Sequence, residues 1–432
     1  MKSRILIISA SSGNGHVRAA EALEAAFRAY GDSVEVKHID ALQYASKIVR
    51  DMYSKAYINI VNKAPAVLGW LYDIADKPWK DERRRLTFDR LNTLRLTKLI
   101  VDYKPDIVIS THFLPAELVS WLLCRKRITS MHCVVVTDFD AHAMWLCRHY
   151  DFYFVALEET KEHLRSLGIT PQNIAVSGIP IDPIFSLPKS KIEMREKYGL
   201  SQDMLTVIVS AGGFGVGPME ELLASLGSME HPIQIIAMCG KNEVLRKRLE
   251  SIARGRSKKL KIKPIGFTKS VDEYMAAADL LLGKPGGLTT AEALSKGLVF
   301  VIVNPIPGQE ERNSDHLLEE GVGIRCNNLS TLAYKLDLLV ADKARLAGMK
   351  ANALRLAHPL AAAEIASKLL QQQPAAHQGT VCGSEHVCYN SVLAATFRAA
   401  RRRLQSQQLK FIRTLKKQRG LNLRMTFKSN LK

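Results

Sequence analysis

The sequence predicts an α/β fold built on parallel sheets. Short apolar runs alternate with segments of helical period along most of the 432 residues. Three of those runs end in glycine-rich turns that open helices, at the sheet edge where open α/β folds bind ligands. These two observations also imply a nucleotide-type ligand, because a free helix N-terminus favours an anion.

Arg4–Ile8 is a buried strand, and Ser9–His16 is its glycine loop. Val17–Tyr30 follows as a helix with an apolar face at Ala19, Leu23, Ala26, Phe27 and Tyr30. Gly13 and Gly15 flank His16 at the mouth of that helix. A histidine there is either a loop cap or a general base, and its position at the ligand edge favours the base. Ser33–Ile39 is the second strand. Residues 42–100 form a mostly helical insertion, in which Trp70, Tyr72 and Trp79 stand beside Lys77, Lys80 and Arg83–Arg85. Aromatics next to cations suit a membrane interface, and equally the core of a helical cap. Pro105–His112 is a strand and turn, so His112 is a second histidine at the ligand edge, with a structural role equally open. His132–Thr137 and Phe152–Val155 continue the sheet, and proline-rich Ile179–Phe185 begins a linker.

The second half repeats the plan with strands at Leu205–Val209, Ile233–Met238, Lys261–Pro264, Leu280–Leu282, Val299–Val303 and Gly323–Cys326. The first carries Gly212, Gly213, Gly215 and Gly217, with Pro218 at a first helical position. No Gly-Lys-Ser/Thr follows, which excludes a Walker A loop. The fourth leads into Gly283-Lys-Pro-Gly-Gly-Leu-Thr-Thr-Ala-Glu292. Gly286 and Gly287 permit close backbone approach, Thr289 or Thr290 is expected to cap the helix, and Glu292 suits ribose hydroxyls. A carboxylate is repelled by phosphates, so Glu292 does not belong at the diphosphate. His358-Pro-Leu360 introduces a terminal helix, to about Gln373, which in the architecture implied by the resemblance given below would pack back across the cleft.

The net charge is +19, and residues 374–432 hold twelve Lys and Arg against one acid, Glu385. This tail reads equally as a disordered extension and as a basic membrane-surface helix. The charge favours an anionic membrane surface. No nucleic-acid-reading motif accompanies it, so nucleic acid is not expected as a partner. Seven scattered cysteines point to a reducing compartment. The apolar run at the start is too short for a secretory segment, and no uncharged run nears the roughly 20 residues of a membrane span. A cytoplasmic, peripheral protein is expected. His377, Cys382, His386 and Cys388 lack a convincing zinc spacing.

Ser12-Gly-Asn-Gly-His16 with Ala19-Ala20, Val136-Thr-Asp-Phe139 with His142 and Trp145, and the two later glycine loops occur in this order. Over roughly residues 1–370 the chain resembles the monogalactosyldiacylglycerol synthase and processive diacylglycerol glucosyltransferase family. More distantly it is similar to the N-acetylglucosaminyltransferase that makes lipid II. The resemblance implies a GT-B fold, two Rossmann-like domains facing a central cleft: an acceptor domain at 1–185 and a UDP-sugar domain at 186–373. It says nothing about the basic extension at 374–432. It implies His16 as catalytic base, with Asp138 or His112 assisting. Phe267 would lie beside uracil, Gly213 and Thr289 at the diphosphate, Glu292 at the ribose, and Gln309, Glu310 and Asn313 at the sugar hydroxyls. Asp138-Phe-Asp140 has the letter spacing of a metal-binding pair. The resemblance points instead to a metal-independent enzyme, in which helix N-termini and loop amides hold the leaving diphosphate.

The expected activity is therefore inverting transfer of a hexose from a UDP-sugar to a lipid hydroxyl, diacylglycerol first among acceptors. The donor is a substrate, and no cofactor or metal is expected. The alternatives are a polyprenyl-linked cell-wall acceptor and a non-catalytic UDP-sugar- or lipid-binding protein.

Overall fold

Strand β1 (Ser3–Ser9) lies inside a six-stranded parallel sheet, one place from its edge, and its Ile5–Ile8 are fully buried, as two-sided packing requires. The computed structural model describes residues 2–52, 69–70, 72–73, 76, 78, 92–210, 219–254, 259–372 and 379–380. The tail apart from Gly379–Thr380, the loop with Gly212 and Gly213, Pro218 and much of the 42–100 insertion lie outside the described residues.

The first sheet adds β2 (Val34–Asp40), β3 (Ile107–Ser110), β4 (Met131–Val135), β6 (Phe152–Val155) and β7 (Ile174–Val176) in the order β2-β1-β3-β4-β6-β7. The two-residue β5 (His149–Tyr150) pairs antiparallel with β14 (Gly379–Thr380). The second sheet contains β8 (Leu205–Ser210), β9 (Ile233–Gly240), β10 (Leu260–Gly266), β11 (Leu280–Gly283), β12 (Val299–Val303) and β13 (Gly323–Cys326). Its order is β10-β9-β8-β11-β12-β13.

Both orders reverse direction at one point, between β1 and β3 and between β8 and β11. Loops leaving two neighbouring strands diverge there, which opens a crevice at their carboxyl ends. Helix α1 (Asn14–Arg28) and helix α2 (Phe113–Cys124) start beside the first crevice. Helix α3 (Gly287–Ser295) starts beside the second. Helix α4 (Gln309–Glu319) follows β12.

The chain crosses between the sheets twice. After the second sheet, helix α5 (Ala361–Gln371) returns to the first, as expected. Its Ala362, Ile365, Ala366 and Leu369 lie one helical turn apart and share a core with Ile5, Ile7, Leu23 and Phe27. The two crossings touch. Gly178 has φ +80°, and a Cβ there would stand 2.2 Å from the His358 Cβ, so only glycine fits.

Candidate functional site

Gly13 caps α1 in extended backbone without a side-chain bond, leaving His16 in the first turn. The His16 Nδ1 lies 2.9 Å from the Thr111 carbonyl oxygen and 2.8 Å from the Thr137 Oγ1. A carbonyl only accepts, so Nδ1 carries the proton and Nε2 keeps its lone pair. Among the described residues Nε2 has no hydrogen-bond partner. Burial pushes the His16 pKa down to about 4, against the opposing pull of the Thr111 carbonyl. The ring is therefore neutral near pH 7.

His112 meets His16 edge-on, with ring centroids 4.6 Å apart. Its Nδ1 accepts the Leu114 N–H at 3.1 Å and caps α2, so its Nε2–H donates to Ser12 Oγ at 3.1 Å. Burial, and the neighbouring His16, hold it well below the ordinary histidine value. Both nitrogens are engaged in holding the corner around His16.

The second half meets this corner through α3. The cap is Gly286, not Thr289 or Thr290, which lie inside the helix. A glycine cap needs no side-chain bond and leaves the first N–H groups clear, and the buried Thr290 hydroxyl is left without a partner. A Cβ on Gly287 would stand 2.2 Å from the Thr137 carbonyl oxygen and 3.2 Å from Asp138 Oδ1. Thr137 thus touches His16 through its hydroxyl and the α3 terminus through its carbonyl. Glu292, one turn further, is buried and faces Arg18 of α1 at 3.4 Å. Burial raises its pKa to about 7, while Arg18 pulls the other way.

Helix α4 lies against the segment after β4. Gln309 donates to Asp138, and Asn313 accepts the Phe139 N–H at 3.1 Å while donating to the Pro285 carbonyl at 3.0 Å. His316 stacks on Phe139. Glu310 accepts the Ile306 N–H at 2.7 Å. Asp140 pairs with Arg312 at 2.6 Å. The two aspartates of the Asp-x-Asp spacing therefore have separate partners on one helix. Phe267 stands apart from the His16 corner, 65% exposed at the end of β10, with Lys241 5.5 Å from its ring centroid.

Residues 16–181 match the family model for monogalactosyldiacylglycerol synthase, and residues 219–367 match the glycosyltransferase family 28 C-terminal domain. The chain is 32% identical over 350 residues to a processive diacylglycerol β-glucosyltransferase of Bacillus licheniformis, covering 81% of this chain and 89% of that one. It belongs to the diacylglycerol glycosyltransferase family.

The Bacillus subtilis member of this family, also a processive diacylglycerol β-glucosyltransferase, is 31% identical over 81% of this chain and 90% of its own. The fold matches Acinetobacter baumannii MurG with a TM-score of 0.54 and 17% identity, over 86% of this chain and all of that one. The architecture is thus GT-B.

Three residues to which the sequence reading gave no role stand at the candidate site: Thr137, which lies within the Val136–Phe139 motif, and Arg18 and Arg312. Arg312 carried one legible signal. With Gln309, Asn313 and His316 it makes a polar stripe at i, i+3, i+4 and i+7, where an apolar stripe would mark ordinary packing.

Asp138 gives a pH prediction. Burial raises its pKa to about 7, with Gln309 opposing. An unfolded carboxyl loses its proton near pH 4. Between those values the folded state binds more protons. The Asp138 contribution to stability is therefore full below about pH 4 and lost as pH rises through about 7. Asp138→Asn keeps an acceptor for Gln309. It is expected to raise the thermal midpoint over wild type at pH 8 and to change it little at pH 4, as calorimetry across pH would show. An equal shift at both pH values would contradict burial of the ionised form.

Proposed function

We propose that the protein transfers a hexose from a UDP-sugar to the hydroxyl of diacylglycerol, with inversion, forming a membrane glycolipid at the cytoplasmic face. The acceptor reading rests on the relatives' named activity and on the match across most of both chains. The observation that carries the chemistry is His16, with Nδ1 tied to a carbonyl and Nε2 open at the corner where the two halves meet.

In this mechanism His16 Nε2 takes the proton of the acceptor hydroxyl. The oxygen attacks the anomeric carbon opposite the diphosphate, and the bond to UDP breaks. The N–H groups of α3 behind Gly286 and Gly287, near Thr289, stabilise the leaving diphosphate with the loop holding Gly212 and Gly213. Glu292 exchanges Arg18 for the ribose hydroxyls. Gln309, Glu310 and Asn313 serve the sugar, Phe267 flanks uracil, and Gly13 and Gly15 let the donor come close to the backbone beside His16. Asp138 orients Gln309, and His112 fixes the ring of His16. No step calls on a metal.

Membrane attachment is part of the same reading. No described helix is long and apolar enough to cross a membrane. Trp70 of the insertion is 62% exposed, and the +19 charge attracts anionic headgroups.

The test is turnover by purified protein with diacylglycerol in anionic vesicles. UDP-glucose, UDP-galactose and UDP-N-acetylglucosamine are supplied separately, and both UDP release and glycolipid are followed. Glycolipid from one hexose donor is expected. UDP binding without glycolipid would reject diacylglycerol and direct the search to polyprenyl-linked acceptors.

A further inference from the structure

Arg312 lies one turn into α4, and its guanidinium forks to two carboxylates from separate parts of the first half. Nη1 donates to Asp140 Oδ2 and Nη2 to Asp76 Oδ2, both at 2.6 Å. Asp140 follows β4, whereas Asp76 belongs to the 42–100 insertion. The other Asp76 oxygen accepts the Ala143 N–H at 2.8 Å, and the His142 Nε2–H donates to the Tyr72 carbonyl at 3.0 Å. The Tyr72 ring lies under the guanidinium, 5.2 Å from centroid to carbon. Gly308, at φ +90°, makes room for that ring, since a Cβ there would stand 2.7 Å from its carbons. Three segments distant in sequence are tied at one side chain.

Partly exposed ion pairs contribute little to stability, and Arg312 is 33% exposed. The arrangement specifies geometry instead. A planar fork holds two carboxylates at once at fixed angles, which a single ammonium does not. Burial resists the charge on Asp76, but the Ala143 N–H and Arg312 outweigh it and hold the carboxyl below its ordinary pKa. The tie is therefore ionised near neutrality. It sits one turn from Gln309 and Glu310, on the helix assigned to the donor sugar, and reaches into the insertion assigned to the lipid side.

We propose that Arg312 is a positioning residue that locks the insertion to the donor helix, so that the sugar is aligned only when the lipid side is in place. This rests on the donor and acceptor sides assigned above. The Arg312 fork bonds to Asp76 and Asp140 and not to α3 or Glu292, so UDP binding does not depend on it directly, while its neighbour Asn313 holds the Pro285 carbonyl just ahead of α3.

The test compares wild type, Arg312→Gln, Arg312→Lys and the double variant Asp76→Asn/Arg312→Gln. It follows UDP affinity, kcat and KM for donor and lipid, release of free sugar from the donor, and amide hydrogen exchange. Arg312→Gln is expected to lower kcat by up to about 100-fold, the scale of a small misalignment at a reacting centre. UDP affinity should stay within about twofold of wild type, and a larger share of donor should be lost to water. Arg312→Lys should recover part of the loss, and adding Asp76→Asn should cost little more. Exchange at Ala143 and along α4 should quicken together in Arg312→Gln. Unchanged kcat, or UDP affinity falling in step with kcat, would overturn the proposal. If the wild type makes no glycolipid, the acceptor assignment fails by itself. Exchange then decides the lock: coupled quickening at Ala143 and α4 sustains it, and unchanged exchange ends it.

Discussion

His16→Ala is expected to lower kcat by about 10²- to 10⁴-fold, the usual contribution of a positioned general base, with UDP affinity close to wild type. The expectation follows from the ring's surroundings. Thr111 and Thr137 hold Nδ1, so the lost group is Nε2, which has no structural partner among the described residues. The fold should survive the change. A pKa of about 4 keeps His16 deprotonated and ready to accept, but makes it a weak base. The diphosphate supplies the correction, because nearby negative charge favours the imidazolium and raises the pKa. Titration of the His16 ring by NMR should therefore show a higher pKa with UDP bound than without it. Equal turnover by His16→Ala and wild type would remove His16 from the chemistry.

Gly287→Ala is expected to cost on the order of 10²-fold in kcat and to lower the thermal midpoint as well, because the added methyl meets backbone. The added methyl would sit 2.2 Å from the Thr137 carbonyl oxygen, far inside contact distance, and the obstacle is backbone. Within its own half the substitution is benign, since alanine is the better helix former and the terminal N–H groups remain. The strain falls on the approach of α3 to the His16 corner. Gly348→Ala is the control: its Cβ meets nothing within 4 Å, and the variant should retain activity. Steady-state kinetics beside melting curves separate the two effects. Activity preserved in Gly287→Ala would mean that the halves do not need this contact during turnover.

Much of this architecture was legible in the residues. The apolar runs of the second sheet, from Leu205–Ser210 to Gly323–Cys326, stand within about two residues of their expected bounds, because fully buried strands need continuous aliphatic stretches. The motif around His16 and the family resemblance located the corner. What escaped was short or distant. Strand β7 has only three residues, too few for a pattern, and β5 only two. The α3 cap was misplaced because hydroxyl residues usually cap helices, whereas this terminus starts one turn earlier at a glycine. The partners of Arg312 lie 172 and 236 residues away, and those of Gln309 and Asn313 about as far. No local periodicity encodes such a pair.

The contact of Gly178 with His358 has a mechanical meaning. The outgoing and returning segments of chain pass side by side there, so the joint between the two halves has no spare room. The returning helix makes the first half depend on chain that follows the second sheet. Severed between the sheets, the first half would lose Ile365 and Leu369 from its core, so the returning crossing is part of what that half needs to stay folded.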